Sequence, residues 1–323
     1  MRRVTVIIPV REVGSYLLES VTHVLTNYPD VEVIVVPDYP DASSSLPSGV
    51  RVVPSGPNAT PGDKRDLAAR LASGEVLAFL DDDAYPEKGW LESALAWFND
   101  SSVAAVGGPG VTPPTDGVRQ RASGWVLASY FGGGNSTYRF RPGRYREVND
   151  FPSMNILVRK VDFEAVGGFR SQYWPGEDSE FCNKIVTELH KRIIYDPNAL
   201  VYHHRRPLFS AHLRQQARYG IHRGYFARHF GGNSKSVSYA VPTLFTAGLL
   251  FGPLIASVFP LGMVAYRGAL IIYGLCVAAT ASWVWYHERN LRVAALTAAG
   301  ILATHVAYGI AYMKGLLSEE LSH

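Results

Sequence analysis

The sequence is poor in cysteine, with only Cys182 and Cys276 among its 323 residues. The two lie far apart in segments of different composition, which argues against a disulfide framework. A long apolar leader is also lacking, because the first apolar run, residues 4–10, is short, contains Pro9 and follows only two arginines. Such a run is typical of a buried first strand. We therefore expect the N-terminal part of the protein to face the cytoplasm.

Acidic residues are absent from residues 201–230, where six arginines and five histidines occur. A basic stretch of this kind suits phosphate, an anionic membrane surface or nucleic acid. Charge of either sign is then absent from Ser236 to Tyr266. The adjoining apolar runs favour a membrane as the partner and argue against nucleic acid.

Three apolar runs follow the basic stretch, namely Tyr239–Phe259, Gly268–Tyr286 and Val293–Met313. Each has the roughly 20 residues that a helix needs to cross a bilayer, so we predict about three transmembrane helices. Core helices of a soluble domain are the alternative. Pro253 and Pro260 leave open a kinked or re-entrant first span.

Charges near the apolar runs predict their orientation. The loop between the second and third runs contains Arg289 and Arg292, and the basic stretch precedes the first run. Because positive loops stay inside, we expect a multi-pass cell-membrane protein with a cytoplasmic N-terminal domain. Composition divides the chain into that domain, a basic amphipathic segment, a membrane domain and a tail, at residues 1–204, 205–235, 236–315 and 316–323.

Strand and helix patterns alternate in the first domain. Short apolar runs such as "VTVIIPV", "VEVIVV" and "EVLAFL" predict strands, and residues 13–26, 62–72 and 88–98 predict helices. This alternation indicates an α/β domain with a mostly parallel sheet. Ligands of such sheets bind beyond the carboxyl ends of the strands. We therefore expect Asp38 and the triplet Asp81–Asp83 to open onto one rim.

The triplet Asp81, Asp82 and Asp83 ends a buried apolar strand. Carboxylates this close repel one another, and Mg²⁺ or Mn²⁺ would offset the repulsion. A solvated turn is the alternative. A second acidic pair, Glu177 and Asp178, opens a helical pattern in "WPGEDSEFCNKI". One of the pair could serve as a general base, while both could instead be helix N-terminal acids with Asp178 as the cap.

In this order the motifs "VTVIIPVRE", "VEVIVVPD", "KRDLAARLASGEVLAFLDDDAYPEKGWLE", "VGGFR" and "GEDSEF" resemble family 2 glycosyltransferases of the GT-A fold, over about Val4–His204. The resemblance implies a catalytic domain that binds a nucleotide-sugar and a divalent cation, Mg²⁺ or Mn²⁺. It matches Asp81 and Asp83 to the metal motif with Asp82 between them. It matches Asp178, next to Glu177, to the catalytic base.

The resemblance also implies roles for residues outside the acidic motifs. His203, with His204 as its rival, matches a histidine near the metal and diphosphate. Asp38 matches a contact to the base or ribose, and further nucleotide-site positions are Pro9, Glu12, Lys64 and Arg65. An exposed helix face is the alternative for Lys64 and Arg65. The family's acidic pair is here Pro37-Asp38, and "DYPDASSS" replaces its short Gly-Ser turn, so a uridine preference is not implied.

"QQARYG" resembles the Gln-x-x-Arg-Trp motif of membrane-bound members, with Tyr in place of Trp. The resemblance places Gln215, Arg218 and Tyr219 on an interfacial helix, near the acceptor and the diphosphate. Trp174 could stack on a sugar, with core packing as the alternative. We interpret Ser129–Asp150 as a mobile loop over the acceptor site, or else as a disordered surface loop.

The layout is most similar to succinoglycan-type enzymes that extend lipid-linked oligosaccharides. It implies a metal-dependent, inverting glycosyltransferase whose acceptor is a glycolipid or a polyprenyl-diphosphate oligosaccharide at the cytoplasmic face of the membrane. Two alternatives stay open. One is a polyprenyl-phosphate sugar synthase, and the other is a non-catalytic membrane scaffold. The sugar, the base and the oligomeric state do not follow from the sequence.

Overall fold

The computed structural model describes residues 2–40, 46–171, 173–229 and 237–321. The chain forms two compact units, Met1–Val111 with Arg141–His204, and Thr112–Phe140 with Arg205–His323. The chain leaves the first unit for the last time after His204. The sequence does not anticipate that residues 112–140 belong to the second unit rather than to the first.

The first unit is built on an eight-stranded sheet of order β3-β2-β1-β4-β9-β6-β10-β8. Its strands β1, β4 and β6 are apolar except for Thr5 and are buried on both faces. The strands are β1 Val4–Pro9, β2 Glu32–Val36, β3 Val50–Val52, β4 Val76–Leu80, β6 Val103–Gly107, β8 Arg146–Val148, β9 Asn155–Arg159 and β10 Arg192–Tyr195.

Parallel pairing dominates this sheet. The pairs β1-β2, β2-β3, β1-β4 and β6-β10 are parallel, while β9 is antiparallel to both its neighbours and β8 is antiparallel to β10. Helices α1 Ser15–Asn27, α2 Pro61–Leu71, α3 Trp90–Trp97, α6 Lys160–Ala165 and α7 Glu177–Thr187 complete the unit. The predicted α/β domain with a mostly parallel sheet is confirmed.

A smaller sheet lies next to the acidic triplet. Strands β5 Ala84–Pro86, β7 Gly110–Val111 and β11 Val201–His203 pair in the order β5-β11-β7. Strand β5 begins directly after the acidic triplet, and His203 lies opposite Ala84 in the antiparallel pair. The sheet therefore brings the end of β11 to the carboxyl end of β4.

The second unit is helical. It contains α4 Val118–Ala128, α5 Tyr130–Gly133, a 3₁₀ helix over Gly134–Arg139, α8 Ser210–His229, α9 Val237–Val258, α10 Gly262–Glu288 and α11 Leu291–Leu317. The expectation of a mobile or disordered loop over Ser129–Asp150 is wrong in its main part. That stretch contains two short helices and the strand β8, whose backbone pairs with β10.

Helices α9, α10 and α11 are long and apolar enough to cross a membrane. Pro242 and Pro253 lie inside α9, which nevertheless runs unbroken over 22 residues, so the first apolar run is one helix. Residues 230–235 of the predicted basic segment, residue 236 of the predicted membrane domain, and residues 41–45 of "DYPDASSS" lie outside the described ranges. The buried side of α8 is made of small and polar residues, mainly His212, Gln216, Gly220 and Gly224.

Candidate active site

Two of the three predicted aspartates meet a histidine at the carboxyl end of β4. Ligand atoms of Asp81, Asp83 and His203 all lie within 4.8 Å of one another. The Nε2 atom of His203 is 2.9 Å from Oδ1 of Asp83, and both side chains are largely buried. Asp82 occupies the middle of the turn and is half-buried. The expected rim therefore exists and carries two carboxylates with one imidazole.

His204 points away from this cluster, because neighbouring residues of a strand face opposite sides. Its Nε2 atom lies 2.9 Å from Oε2 of Glu19, and its ring stacks on Tyr16 at 4.1 Å. Its backbone N–H donates to the carbonyl of Asp83 at 2.9 Å. Of the two predicted histidines, His203 is the one that the fold brings to the aspartates.

Lys64 and Arg65 lie near the start of α2, where Thr60 and Asp63 form a capping box. Both are 3% exposed, so the alternative of an exposed helix face is wrong. A buried cation needs anionic partners. The guanidinium of Arg65 donates to Oδ1 of Asp81 at 2.7 Å and lies 3.4 Å from Oε1 of Glu177.

Lys64 joins the ends of two neighbouring strands. Its ammonium group donates to the carboxylate of Asp38 and to the carbonyl of Val10. Pro9 is buried at the end of β1, and Glu12 is exposed just beyond it. Four predicted nucleotide-site residues thus lie at the carboxyl ends of β1 and β2, the edge at which the fold predicts a ligand.

Phe169 packs against Arg65, a contact that was not predicted from the sequence. The guanidinium carbon of Arg65 lies 5.5 Å from the centre of the Phe169 ring. Asp66 accepts a hydrogen bond of 2.8 Å from the backbone N–H of Phe169. A Cβ atom on Gly168 would lie 2.5 Å from Oδ1 of Asp66, so this turn needs glycine there. The signal was the acid that follows Lys64-Arg65, together with the double glycine before Phe169.

Glu177 and Asp178 begin α7, but neither caps it. The N-cap is Gly176 and has no side-chain cap bond, so the alternative in which Asp178 is the cap is wrong. Asp178 is half-buried and accepts from the N–H of Ser179 at 2.8 Å. Trp174, shortly before, is 41% exposed, so the alternative of a packed core aromatic is wrong.

Glu177 has an unusual protonation equilibrium. Burial raises its pKa from about 4.5 to about 7, the negative charge of Asp178 adds to the rise, and Arg65 opposes it. Between these two pH values the folded protein holds a proton that the unfolded chain releases. The free energy of unfolding therefore falls as pH rises from about 4.5 to about 7, and this group has no further effect above that.

We expect Glu177→Gln to remove this dependence, because a neutral amide imitates the protonated acid. At pH 8 the variant should be more stable than the wild type by up to about 3 kcal/mol, and at pH 5 by less than about 1 kcal/mol. Thermal unfolding of the detergent-solubilised protein in EDTA at both pH values measures this. Glu180→Gln, in the same helix turn and only partly buried, should show no such trend. Equal stability of Glu177→Gln and wild type at pH 8 would contradict the pKa shift.

The predicted acceptor residues belong to the second unit. Gln215, Arg218 and Tyr219 lie on α8, where the amide of Gln215 is 3.4 Å from the hydroxyl of Tyr219. Arg218 and Tyr219 are exposed. Their contacts with an acceptor or a diphosphate remain predictions.

Comparison with known proteins identifies relatives of this chain. The family model described as "Glycosyl transferase family 2" matches residues 5–167. The pre-mycofactocin glycosyltransferase of Mycobacterium tuberculosis is 32% identical over 225 residues, which is 68% of this chain and 46% of that protein. The glucosyl-dolichyl phosphate glucuronosyltransferase of Haloferax volcanii is 27% identical over 147 residues, 43% of this chain and 46% of that one. The chain thus spans about half the length of these relatives.

Solved structures share the fold. The mannosyltransferase PcManGT from Pyrobaculum calidifontis, in complex with GDP-Man and Mn²⁺, superposes with a TM-score of 0.63 at 18% identity, over 99% of this chain and 88% of its own. GalNAc-T7 with UDP, GalNAc and Mn²⁺ gives 0.51 at 17% identity, over 76% of this chain and 51% of its own. Since the family model covers half of the sequence and the fold agrees with it, the chain belongs to glycosyl transferase family 2.

Proposed function

We propose that this protein is a metal-dependent, inverting glycosyltransferase that moves a sugar from a nucleotide-sugar to a lipid-linked acceptor at the cytoplasmic face of the cell membrane. The observation that carries the proposal is the cluster of Asp81, Asp83 and His203 at the carboxyl end of β4. Family membership supports the nucleotide-sugar donor.

The donor atoms of this cluster suit a divalent cation. Two carboxylates and one imidazole are ligands that Mn²⁺ accepts, and carboxylates also suit Mg²⁺. Asp81, Asp83 and His203 would hold the ion, and its chemistry would be to neutralise charge on the diphosphate. Arg65, already bonded to Asp81, keeps a positive charge at the same edge.

Asp178 is the proposed general base. In the step we propose, its carboxylate takes the proton of the acceptor hydroxyl while the hydroxyl oxygen bonds to the anomeric carbon. The bond from that carbon to the diphosphate oxygen breaks, and the electron pair leaves with the nucleoside diphosphate. Attack opposite the departing group inverts the configuration. Glu177, next to Asp178 in the sequence, and Arg65, which pairs with Glu177, determine the local charge around the base.

The remaining residues have proposed binding roles. Pro9, Glu12, Asp38 and Lys64 would hold the nucleoside, and Asp82 would lie along the diphosphate. The exposed ring of Trp174 suits stacking on a sugar face. On α8, Gln215, Arg218 and Tyr219 would receive the acceptor end, with Arg218 stabilising the departing diphosphate.

A lipid-linked acceptor is favoured by two observations. Three helices are apolar enough to enter a membrane. A relative from Haloferax volcanii is named as acting on a glucosyl-dolichyl phosphate. A polyprenyl-phosphate sugar synthase is the nearest alternative, but its phosphate acceptor is already ionised and needs little help from a base such as Asp178.

The test is to assay the detergent-solubilised protein with labelled nucleotide-sugars and extracted membrane lipids, with Mn²⁺ and with EDTA. We expect metal-dependent transfer to a lipid, in a product whose new bond resists mild acid. Release of the label by mild acid as a free monosaccharide would indicate a phosphodiester and the synthase, whereas release within an oligosaccharide would still fit a diphosphate-linked acceptor. Binding of each nucleotide-sugar is measured as thermal stabilisation of the protein. If no nucleotide-sugar stabilises it, the non-catalytic scaffold is indicated.

A further inference from the structure

Helix α11 is covered by protein on most of its circumference. At three of its glycines, a different neighbouring helix comes so close that a Cβ atom on the glycine would clash with it. A Cβ atom on Gly300 would lie 2.8 Å from a methyl carbon of Val126 in α4, and one on Gly309 would lie 2.4 Å from the carbonyl of Pro242 in α9. One on Gly315 would lie 2.0 Å from a carbonyl of α8.

Helix α8 runs parallel to α11 over the second half of that helix. Near the start of α8, Nε2 of His212 lies 2.9 Å from the hydroxyl of Thr304. Near its end, Arg228 donates to the carbonyl of Leu316 at 3.2 Å. Residue numbers rise in the same direction along both helices, so the two are parallel. Between them, a Cβ atom on Gly224 would lie 2.1 Å from the carbonyl of Tyr312. If α11 crossed the hydrocarbon core of the membrane, α8 would therefore have to lie in that core beside it.

That path is unfavourable for the sequence of α8. The helix contains four arginines and no acid, namely Arg214, Arg218, Arg223 and Arg228. Arginine is among the costliest residues at the centre of a bilayer, whereas basic helices are favoured at anionic surfaces. The composition of α8 therefore disfavours a path of the α8–α11 pair through the hydrocarbon and favours a membrane surface.

Helices α9 and α10 form a close antiparallel hairpin. The rings of Phe245 and Tyr273 stack at 4.1 Å, and a Cβ atom on Gly252 would lie 2.4 Å from the ring of Tyr266. The hairpin is largely exposed, since only 17% of the residues in the most apolar 18-residue stretch of α9, and 6% of those in the corresponding stretch of α10, are buried. For α11 the share is 39%.

Both arms of the hairpin also run antiparallel to α11. In α9, Pro242 lies beside Gly309 and Thr246 donates to the carbonyl of His305 at 3.3 Å. In α10, the hydroxyl of Tyr273 lies 3.1 Å from Nδ1 of His305, and the end of α10 at Glu288 is joined to the start of α11 at Leu291 by only two residues. Three helices cannot be mutually antiparallel about a common axis. The hairpin therefore leaves α11 at a large angle, and the two cannot both cross a membrane upright.

The exposed side of α11 is one apolar stripe. Its exposed apolar members are Ala295, Ala299, Leu302, Ile310, Met313 and Leu317, with the half-buried Val306 between the third and the fourth, and the exposed charges Arg292 and Lys314 lie near the two ends of the helix. A single apolar side on an otherwise covered helix is what a helix lying in the interface presents to the acyl chains.

We propose that only the α9–α10 hairpin inserts into the bilayer, while α11 lies along its surface with its apolar stripe in the acyl region. The partner is an anionic lipid surface, which the arginines of α8 match in charge. Both ends of α11 then stay on one face of the membrane. This replaces the expected third crossing and stands independently of the proposed reaction.

The experiment labels single cysteines in sealed vesicles that hold the protein predominantly in one orientation. Arg292→Cys and Glu319→Cys are exposed positions at the two ends of α11, made in a Cys276→Ser parent whose remaining Cys182 is buried. A membrane-impermeant maleimide is applied before and after detergent, and the parent alone should stay unlabelled in sealed vesicles.

We expect the same labelled fraction at both positions before detergent, relative to the total after it. Complementary fractions, one high and one low, would show that α11 crosses the membrane and would overturn the proposal. Phe259→Cys, at the tip of the hairpin, should be poorly labelled from the face on which the ends of α11 are labelled. Because no turnover is measured, a failure here leaves the proposed reaction unaffected.

Discussion

Replacing Asp178 by asparagine should lower kcat by about 10²–10⁴-fold, the range that general-base assistance contributes. Asparagine keeps the shape of the side chain and can still accept from the N–H of Ser179, so α7 should begin as in the wild type. The amide cannot take a proton from the acceptor hydroxyl. The measurement is single-turnover transfer at saturating donor, with nucleotide affinity determined in parallel.

Nucleotide affinity should be nearly unchanged in Asp178→Asn, which separates loss of the base from loss of the site. Glu180→Gln, two residues along the same helix, is the matched control and should retain wild-type turnover. Near-normal turnover of Asp178→Asn would show that another group, or the acceptor itself, supplies the negative charge. That result would also favour the polyprenyl-phosphate synthase.

Replacing Asp83 by asparagine should weaken Mn²⁺ binding by about 100-fold or more. Second-sphere changes already cost roughly 10–100-fold in metal affinity, and Asp83 is a proposed ligand that also orients His203 at 2.9 Å. Free Mn²⁺ counted by electron paramagnetic resonance gives the affinity directly, without any turnover. Transfer activity at low Mn²⁺ should fall in parallel and recover in part at high Mn²⁺.

Asp82→Asn is the control for Asp83→Asn, because Asp82 lies in the same turn but not in the three-residue cluster. It should bind Mn²⁺ about as the wild type does. Unchanged Mn²⁺ binding in Asp83→Asn would mean that the ion, if bound, is held elsewhere. The metal site would then have to be abandoned while the family assignment stood.

Much of the first unit could be predicted because its signals are local. Apolar runs such as Val76–Leu80 are long enough to identify buried strands, and the aspartates follow directly where a parallel sheet exposes its ligand-binding edge. The apolar lengths of α9 to α11 could likewise be read without a structure.

The remaining features depend on partners that are distant in the sequence. Lys64 and Arg65 lie in a polar segment with the pattern of an exposed helix, and only Asp38, Asp81 and Glu177 show that they are buried. Which of His203 and His204 faces the aspartates depends on the register of β11, which a three-residue strand does not reveal. The orientation proposed for α11 rests on three packing partners, none of which hydropathy can detect.

The division of the chain has a consequence for how the protein is made. Ala122 and Val126 of α4 pack against Val293 and Ile301 of α11, residues that leave the ribosome long afterwards. During translation, the apolar side of α4 therefore stays exposed until α11 has been synthesised. Apolar surface that is exposed during folding promotes aggregation. A soluble fragment would therefore need residues 112–140 excised as well as the C-terminal helices removed, since truncation at residue 204 alone would leave α4 without its neighbours.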